Sequence, residues 1–173
     1  MTYPPREDTA LVLEKLEELE LEGKKFLEIG TGNGAIAVKA AELGAKVTAA
    51  DIDPKAVEDA ENRAEEAGVE IEFIESDLFE NVEEEYDVIV FNPPYLPGEK
   101  GIGEEETWRG GEKGTEVTEN FLDDVRDYLG DEGFFMVVAS SLADSEPLLD
   151  EHGLEVVGSK KLWFEELYLL KGK

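Results

Sequence analysis

The chain has 173 residues, of which 41% are hydrophobic, and this combination predicts one domain, residues 1–173, with a substantial core. Its 44 Asp and Glu residues against 16 Lys and Arg residues give a formal net charge of −28. This charge argues against nucleic acid as a direct substrate, because affinity for a phosphate backbone rests largely on basic side chains. The absence of cysteine excludes disulfides and thiolate metal sites, and a single histidine, His152, excludes a histidine zinc cluster.

The first predicted element is an amphipathic helix over residues 8–21, with leucines at helical spacing and Asp8 or Thr9 as its N-cap. Strands and helices then alternate along the rest of the chain. The predicted strands cover residues 24–30, 46–51, 70–77, 86–92 and 133–141, with two more within 154–171, and the later predicted helices cover 35–44, 54–68, 116–130 and 146–152.

Mostly apolar strands separated by helices predict a parallel sheet that is covered on both faces. The two closing strands are joined by a short segment and are predicted to be antiparallel, with Trp163 in the core. We therefore expect an α/β fold with a seven-stranded, mostly parallel sheet, its last strand antiparallel, and helices on both faces. The longest apolar run, residues 134–139, is too short to cross a bilayer, and the first ten residues lack the apolar stretch of a signal peptide. A cytoplasmic location with no membrane partner is expected.

One long segment, residues 96–114, interrupts the alternation of strands and helices. Its six glycines indicate a flexible loop over a site and not a linker between domains. Within it, four residues are candidates for contact with a substrate backbone: Trp108, Arg109, Gly110 and Gly111. A loop anchored by one buried tryptophan is the competing interpretation, and the role of this loop stays open.

A glycine-rich turn follows the first predicted strand in the sequence LEIGTGNG. Gly30, Gly32 and Gly34 allow the backbone to turn tightly and to lie close to a ligand. Unlike the dinucleotide fingerprint, the turn has only one residue before its third glycine, and Glu28 would repel a pyrophosphate. Glu28 could instead accept from a cationic amino group.

Acidic side chains also end the next two predicted strands. Asp51 lies about 20 residues after the turn, where a carboxylate can accept from both hydroxyls of a ribose, and Asp77 lies within reach of an adenine edge. Carboxylates at the carboxyl ends of successive parallel strands favour a positively charged nucleoside without phosphates. S-adenosylmethionine fits that description, and no metal is needed.

The fourth predicted strand ends in Asn92, Pro93, Pro94 and Tyr95. The Asn92 side-chain oxygen and the Pro93 carbonyl could accept both hydrogens of one NH2 group, while the prolines fix the backbone and offer no competing donors. Tyr95 could stack on a planar group. Holding both hydrogens would present the nitrogen to an incoming methyl group, so orientation would supply most of the catalysis.

In this order, LEIGTGNG, DIDP, SDLF and FNPPY resemble the Rossmann-like class I S-adenosylmethionine-dependent methyltransferases that act on planar NH2 groups. YPPREDTALVL and GEEETWRGGEKGTEV narrow the resemblance to the short archaeal and eukaryotic relatives of HemK, the release-factor glutamine methyltransferases. It covers nearly the whole chain. The resemblance implies that Asn92, Pro93, Pro94 and Tyr95 hold the glutamine. It also implies a cofactor site formed by Thr9, Glu28, Gly30, Thr31, Gly32, Gly34, Asp51, Ile52, Asp77, Leu78 and Asn92.

The resemblance further implies two protein partners. One is a class I release factor as the methylated substrate. The other is a small zinc-binding activator that adds a strand beside residues 69–75, an edge strand in this fold. An ordinary edge strand protected by its glutamates is the competing interpretation.

Four alternatives remain open from the sequence, the most distant of which is a nicotinamide-dependent dehydrogenase. The same chemistry could act on the amino group of adenine or cytosine in nucleic acid, or on a protein lysine, although an ammonium must first lose a proton. The chain could instead be a non-catalytic scaffold that binds S-adenosylmethionine.

The charge of −28 predicts a salt-rich cytoplasm, because about 1 M salt shortens the screening length to about 3 Å and weakens the self-repulsion. An acidic protein of ordinary habitat is the alternative.

Overall fold

A computed structural model describes residues 7–93, 115–143 and 145–173. The helices are α1 (Glu7–Glu17), α2 (Ala35–Glu42), α3 (Pro54–Ala67), α4 (Glu116–Asp124) and α5 (Glu146–His152), with a 3-10 turn at Val125–Tyr128. The strands are β1 (Lys25–Ile29), β2 (Lys46–Asp51), β3 (Ile71–Glu75), β4 (Tyr86–Phe91), β5 (Leu129–Ser140), β6 (Glu155–Lys161) and β7 (Glu166–Gly172).

The described strands form one seven-stranded sheet in the order β3-β2-β1-β4-β5-β7-β6. The pairs from β3 to β5 are parallel, whereas β7 runs antiparallel to both β5 and β6. This arrangement confirms the predicted mostly parallel sheet with an antiparallel last strand. Because β1 lies between β2 and β4, the turns that follow these three strands meet at one edge of the sheet.

Both faces of the sheet are covered, as predicted. The side chains of β1 alternate, so that Phe26 packs toward α1 and α2 while Leu27 packs toward α4 and α5. The same alternation continues in β4, where Val88 and Val90 lie on the first face and Ile89 on the second. Near-continuous apolar strands are what a parallel sheet buried on both faces requires.

The first helix differs from its prediction at both ends. Asp8 and Thr9 lie inside α1, which begins no later than Glu7, so neither residue serves as the predicted N-cap. The helix also ends at Glu17, because the N–H groups of Glu18 and Leu19 donate to carbonyls three residues earlier and tighten the last turn. Two leucines continue the pattern after the helix has ended, of which Leu21 is buried and Leu19 is half-buried.

The closing hairpin corrects the placement of Trp163. Strand β6 ends at Lys161 and β7 begins at Glu166. Between them, the Leu162 N–H donates to the Glu165 carbonyl over 2.7 Å. Trp163 therefore lies in a tight turn and is 99% exposed, so its predicted place in the core is wrong. None of the helices in the described parts of the chain combines the length and the apolar content needed to cross a bilayer.

Candidate functional site

The glycine-rich turn after β1 forms the floor of the candidate site. Gly30, Gly32 and Gly34 have φ values of +70°, +53° and +81°, a region that side chains with a Cβ disfavour. The turn leads directly into α2, which begins at Ala35. The strand-turn-helix geometry predicted from these glycines is therefore present.

Each glycine has different surroundings. A Cβ on Gly34 would lie 2.9 Å from Ala60 Cβ and 3.0 Å from Ala60 Cα, so this glycine allows the start of α2 to pack closely on α3. A Cβ on Gly30 would lie 3.4 Å from the Phe91 ring. A Cβ on Gly32 would meet nothing within 4 Å, so the middle of the turn borders open space in which a ligand could lie.

Glu28 points from β1 into the interior below this turn and is 1% exposed. Its Oε2 accepts from the Thr31 hydroxyl over 3.1 Å. Burial raises the pKa of Glu28 well above its usual value, and hydrogen bonds from Thr31 and the Ala37 backbone oppose this shift without cancelling it. A cationic ligand beside Glu28 would stabilise the ionised carboxylate.

Asp51 ends β2 and is held by the loops around it. Its Oδ2 accepts from the Gly32 N–H over 2.9 Å, and its Oδ1 accepts from the Asp53 N–H over 3.0 Å. Burial raises the pKa of Asp51, and these backbone donors oppose the increase. Each carboxylate oxygen has a second lone pair, so both can still accept from the hydroxyl groups of a ligand. Ile52 follows with 59% of its surface exposed, an apolar side chain next to a hydrogen-bonding one.

Asp77 and Leu78 lie in the turn after β3. Asp77 is exposed, and Leu78 has a φ of +51°, which is uncommon for a residue other than glycine. The buried Ser76 hydroxyl donates to the Leu78 carbonyl over 2.8 Å and accepts from the Asn81 N–H over 3.0 Å. These two bonds hold the unusual backbone and present Asp77 at the same edge of the sheet as Asp51.

Asn92 follows β4 and is the most informative side chain of the site. Its Nδ2 donates to Asp8 Oδ2 over 3.3 Å, whereas its Oδ1 is buried and has no hydrogen-bond partner among the described residues. A buried carbonyl oxygen without a partner costs about 1–3 kcal/mol, so it indicates a position where a ligand donor belongs. Pro93 is buried beside it, and the predicted Pro94 and Tyr95 lie outside the described residues, as does the loop over 96–114.

The contact between Asp8 and Asn92 was not predicted from the sequence. The two residues are 84 positions apart, and no local pattern links them. The contact places the first turn of α1 against the end of β4. Thr9, the next residue of α1, is half-buried at this boundary, but no described contact joins its side chain to the glycine turn.

Together these residues lie at the carboxyl ends of β1, β2, β3 and β4, at one edge of the sheet. They combine carboxylates at two depths, an exposed apolar side chain, a glycine turn that borders open space and an amide oxygen with no partner among the described residues. In parallel sheets this edge is where ligands bind. The arrangement can bind a cationic ligand with hydroxyl groups and, beside it, a group that donates a hydrogen bond to Asn92.

The chain belongs to the methyltransferase small domain family, whose sequence model matches residues 7–161. Among similar proteins, a putative protein N5-glutamine methyltransferase of Methanocaldococcus jannaschii is 36% identical, with 97% of this chain and 89% of the relative covered. The human methyltransferase HEMK2 is also 36% identical, with 85% of this chain and 75% of the relative covered. These findings confirm the resemblance to the short glutamine methyltransferases.

A solved structure supports the same assignment. A chain of the E. cuniculi Mtq2–Trm112 complex superimposes with a TM-score of 0.79 at 26% identity, with 99% of this chain and 97% of the other covered. That complex is described as responsible for methylation of the translation termination factor eRF1. The Rossmann-like methyltransferase fold predicted from the sequence is thereby confirmed.

Proposed function

We propose that this chain is an S-adenosylmethionine-dependent methyltransferase that modifies the side-chain amide nitrogen of a glutamine in a translation release factor. The observation that carries the proposal is Asn92 Oδ1 at the carboxyl end of β4, which is buried and has no hydrogen-bond partner in the described part of the chain. An oxygen in this position accepts from an NH2 group. The proposed substrate follows from the similar proteins, which include a putative glutamine methyltransferase and a complex that methylates a termination factor.

The acceptor groups at this edge of the sheet fit S-adenosylmethionine. The buried Glu28 would accept from the amino group of the cofactor, and Asp51 would accept from the ribose hydroxyls. Ile52 and Leu78 would pack against the adenine, with Asp77 at its edge. Because a Cβ on Gly32 would meet nothing within 4 Å, the cofactor could approach the backbone of the turn there, and the carboxylates disfavour a pyrophosphate.

When bound, the cofactor supplies an electrophilic methyl group on a sulfonium. The chain's own contribution is orientation of the acceptor. Asn92 Oδ1 would accept one hydrogen of the glutamine NH2 and the Pro93 carbonyl the other, which fixes the plane of the amide. Pro93 and Pro94 carry no N–H that would compete for these acceptors. A substrate without an NH2 group would leave the Asn92 oxygen buried and unpaired. This penalty of about 1–3 kcal/mol would discriminate against such a substrate.

The proposal is tested with the purified protein, its candidate activator, a release factor and methyl-labelled S-adenosylmethionine. We expect label on the glutamine of the Gly-Gly-Gln motif, and none on a release factor in which that glutamine is replaced by glutamate. Mass spectrometry of the modified residue distinguishes glutamine from lysine. Absence of label with both subunits present, or label on DNA or RNA instead, would contradict the proposal.

We also propose that a small activator pairs with β3. This strand is at the edge of the sheet and pairs only with β2 among the described strands. Ile71 and Phe73 share one face, where both pack against the core, while Glu72 is exposed. The free edge of β3 can accept another strand through backbone hydrogen bonds. The E. cuniculi relative was solved as a complex with Trm112, which supports a partner of this kind. Binding of zinc by the activator is part of the same proposal.

Amide hydrogen exchange tests the location of the activator. Addition of the activator should slow exchange at the amides of Ile71–Glu75. The other edge strand, Glu155–Lys161, provides an internal control within the same molecule. Protection of β6 without protection of β3 would place the partner on the wrong edge and contradict the proposal.

A further inference from the structure

Asp8 is a buried acid that connects two elements of the fold. It lies in the first turn of α1 and is only 8% exposed. One carboxylate oxygen, Oδ1, accepts from the Thr9 N–H over 2.8 Å, and the other, Oδ2, accepts from Asn92 Nδ2 over 3.3 Å. Among the described residues, Asp8 forms no ion pair with a Lys or Arg side chain. Its carboxylate thus accepts hydrogen bonds from the Asn92 amide and from the backbone of its own helix.

The carboxylate decides which end of the Asn92 side chain faces it. A carboxylate oxygen accepts hydrogen bonds, so the NH2 end of the amide must point toward Asp8. The reversed amide would place two acceptors against each other. The Oδ1 atom is consequently directed away from α1, where it is buried and has no described partner.

The contact also affects the electronic character of the amide. Donation from Nδ2 to a carboxylate polarises the amide and increases the negative charge on Oδ1, and such cooperativity strengthens a hydrogen bond accepted at the other end. Asp8 can therefore influence both the direction and the strength of the Asn92 acceptor, although it does not itself reach the substrate position.

We infer that Asp8 is a positioning residue for methyl transfer: it locks the Asn92 carboxamide so that Oδ1 faces the NH2 group of the substrate. This inference rests on the proposed function, since it assigns a purpose to the unpartnered oxygen. It adds a residue of α1 to a substrate site otherwise built from the end of β4.

Two substitutions at position 8 separate positioning from bulk packing. Asp8→Asn keeps the size of the side chain and one carbonyl oxygen, which can still accept from Asn92 Nδ2. Asp8→Ala removes the acceptor. We expect Asp8→Ala to lower kcat about 10- to 100-fold while the Kd for S-adenosylmethionine changes less than about 3-fold, and Asp8→Asn to recover most of the lost kcat.

A matched control is available one residue earlier. Glu7 is in the same turn, is exposed and pairs with Lys160, away from Asn92. Glu7→Ala should leave kcat unchanged. In the Asn92→Ala background, Asp8→Ala should have no further effect on kcat, because the group that it positions is already absent. Additive losses in the double variant would overturn the inference.

A spectroscopic measurement on the free protein needs no substrate. The side-chain NH2 resonances of Asn92 in a 15N-labelled sample should shift in Asp8→Ala and stay near the wild-type position in Glu7→Ala. If neither these resonances nor kcat changes in Asp8→Ala, the inference is wrong. If Asp8→Ala shows the resonance shift but the wild-type protein does not methylate glutamine, the proposed function is contradicted instead.

Discussion

The backbone N–H of Gly32 donates to Asp51 Oδ2 across 2.9 Å and joins the turn after β1 to the end of β2. The carboxylate therefore organises the glycine turn through hydrogen bonds within the protein. The Asp53 N–H bonds to the other oxygen, so the side chain is fixed in one orientation. Preorganisation of this kind reduces the entropy lost on binding.

Replacement of Asp51 should therefore impair cofactor binding more than chemistry. We expect Asp51→Ala to raise the Kd for S-adenosylmethionine about 10- to 100-fold, because the ribose acceptor and the anchor of the turn are both lost. At saturating cofactor, kcat should fall much less. Calorimetric titration measures the Kd directly.

A matched control for Asp51 lies at the opposite edge of the sheet. Asp87 Oδ2 also accepts a backbone N–H, from Lys25 over 2.9 Å, at the amino ends of β1 and β4. Asp87→Ala should lower stability to a similar extent and leave the Kd unchanged. Equal losses of affinity in the two variants would show that Asp51 acts only through stability.

Asn92→Ala should produce the opposite division of effects. The loss of Oδ1 removes the acceptor that orients the substrate NH2, so kcat should fall at least about 100-fold, a size typical of removing one oriented polar group from an active site. The Kd for S-adenosylmethionine should stay within about 3-fold of the wild type. Steady-state rates at saturating cofactor, together with a binding titration, separate the two quantities.

The exposed Asn62 on α3 supplies the control for this variant, and Asn62→Ala should match the wild type in both measurements. If Asn92→Ala and Asp51→Ala reduce affinity and turnover in the same proportion, the separate roles of the two residues are wrong.

Local sequence signals accounted for most of the site's framework. Glycine positions and apolar periodicity placed the turn after β1 and the end of β2, and came within two residues of the ends of β3 and β4, because these features depend on residues close together in the chain. Contacts between distant segments left no such signal. From the sequence, Asp8 was predicted to be a helix cap, and only the packing of α1 against the end of β4 revealed its hydrogen bond to Asn92. Trp163 read as core because apolar residues surround it, whereas the hairpin turn exposes it.

Gly34 and Gly68 provide a test of the close packing between α2 and α3. Both have positive φ values, +81° and +70°, so alanine at either position incurs about 1–2 kcal/mol of backbone strain. Only at Gly34 would the new Cβ also meet Ala60, at 2.9 Å, whereas at Gly68 nothing lies within 4 Å. Gly34→Ala should therefore be more destabilising by about a further 1–3 kcal/mol. Urea unfolding of both variants measures the difference, and equal losses would exclude the proposed contact.

The charge of −28 predicts that the fold is stabilised by salt. Raising KCl from about 0.1 to about 1 M shortens the screening length from about 10 to about 3 Å and weakens the repulsion among carboxylates. Tm should rise over this range. A variant in which the exposed Glu65 and Glu66 become glutamine should be more stable at low salt and converge with the wild type at high salt. If the two proteins differ equally at all salt concentrations, repulsion is not the cause.

Glu28→Gln tests the electrostatics of the buried acid in the protein without cofactor. Burial raises the pKa of Glu28 above its unfolded value, so the folded state binds the proton more tightly and the associated stability is lost as pH rises through the folded-state pKa. Glutamine resembles the protonated acid and does not ionise. The Tm values of variant and wild type should therefore be similar near pH 4 and diverge as pH rises, with the variant the more stable. Each pKa unit of elevation corresponds to about 1.4 kcal/mol, and each kcal/mol to about 2–4 °C in Tm.

Two controls apply to Glu28→Gln. Subtracting the Tm of the wild type from that of the variant at each pH removes the charge repulsion that both proteins share. Glu61→Gln, at an exposed position, controls for the loss of one surface charge. A variant that is less stable than the wild type at pH 8 would show that the ionised Glu28 is stabilised by the fold.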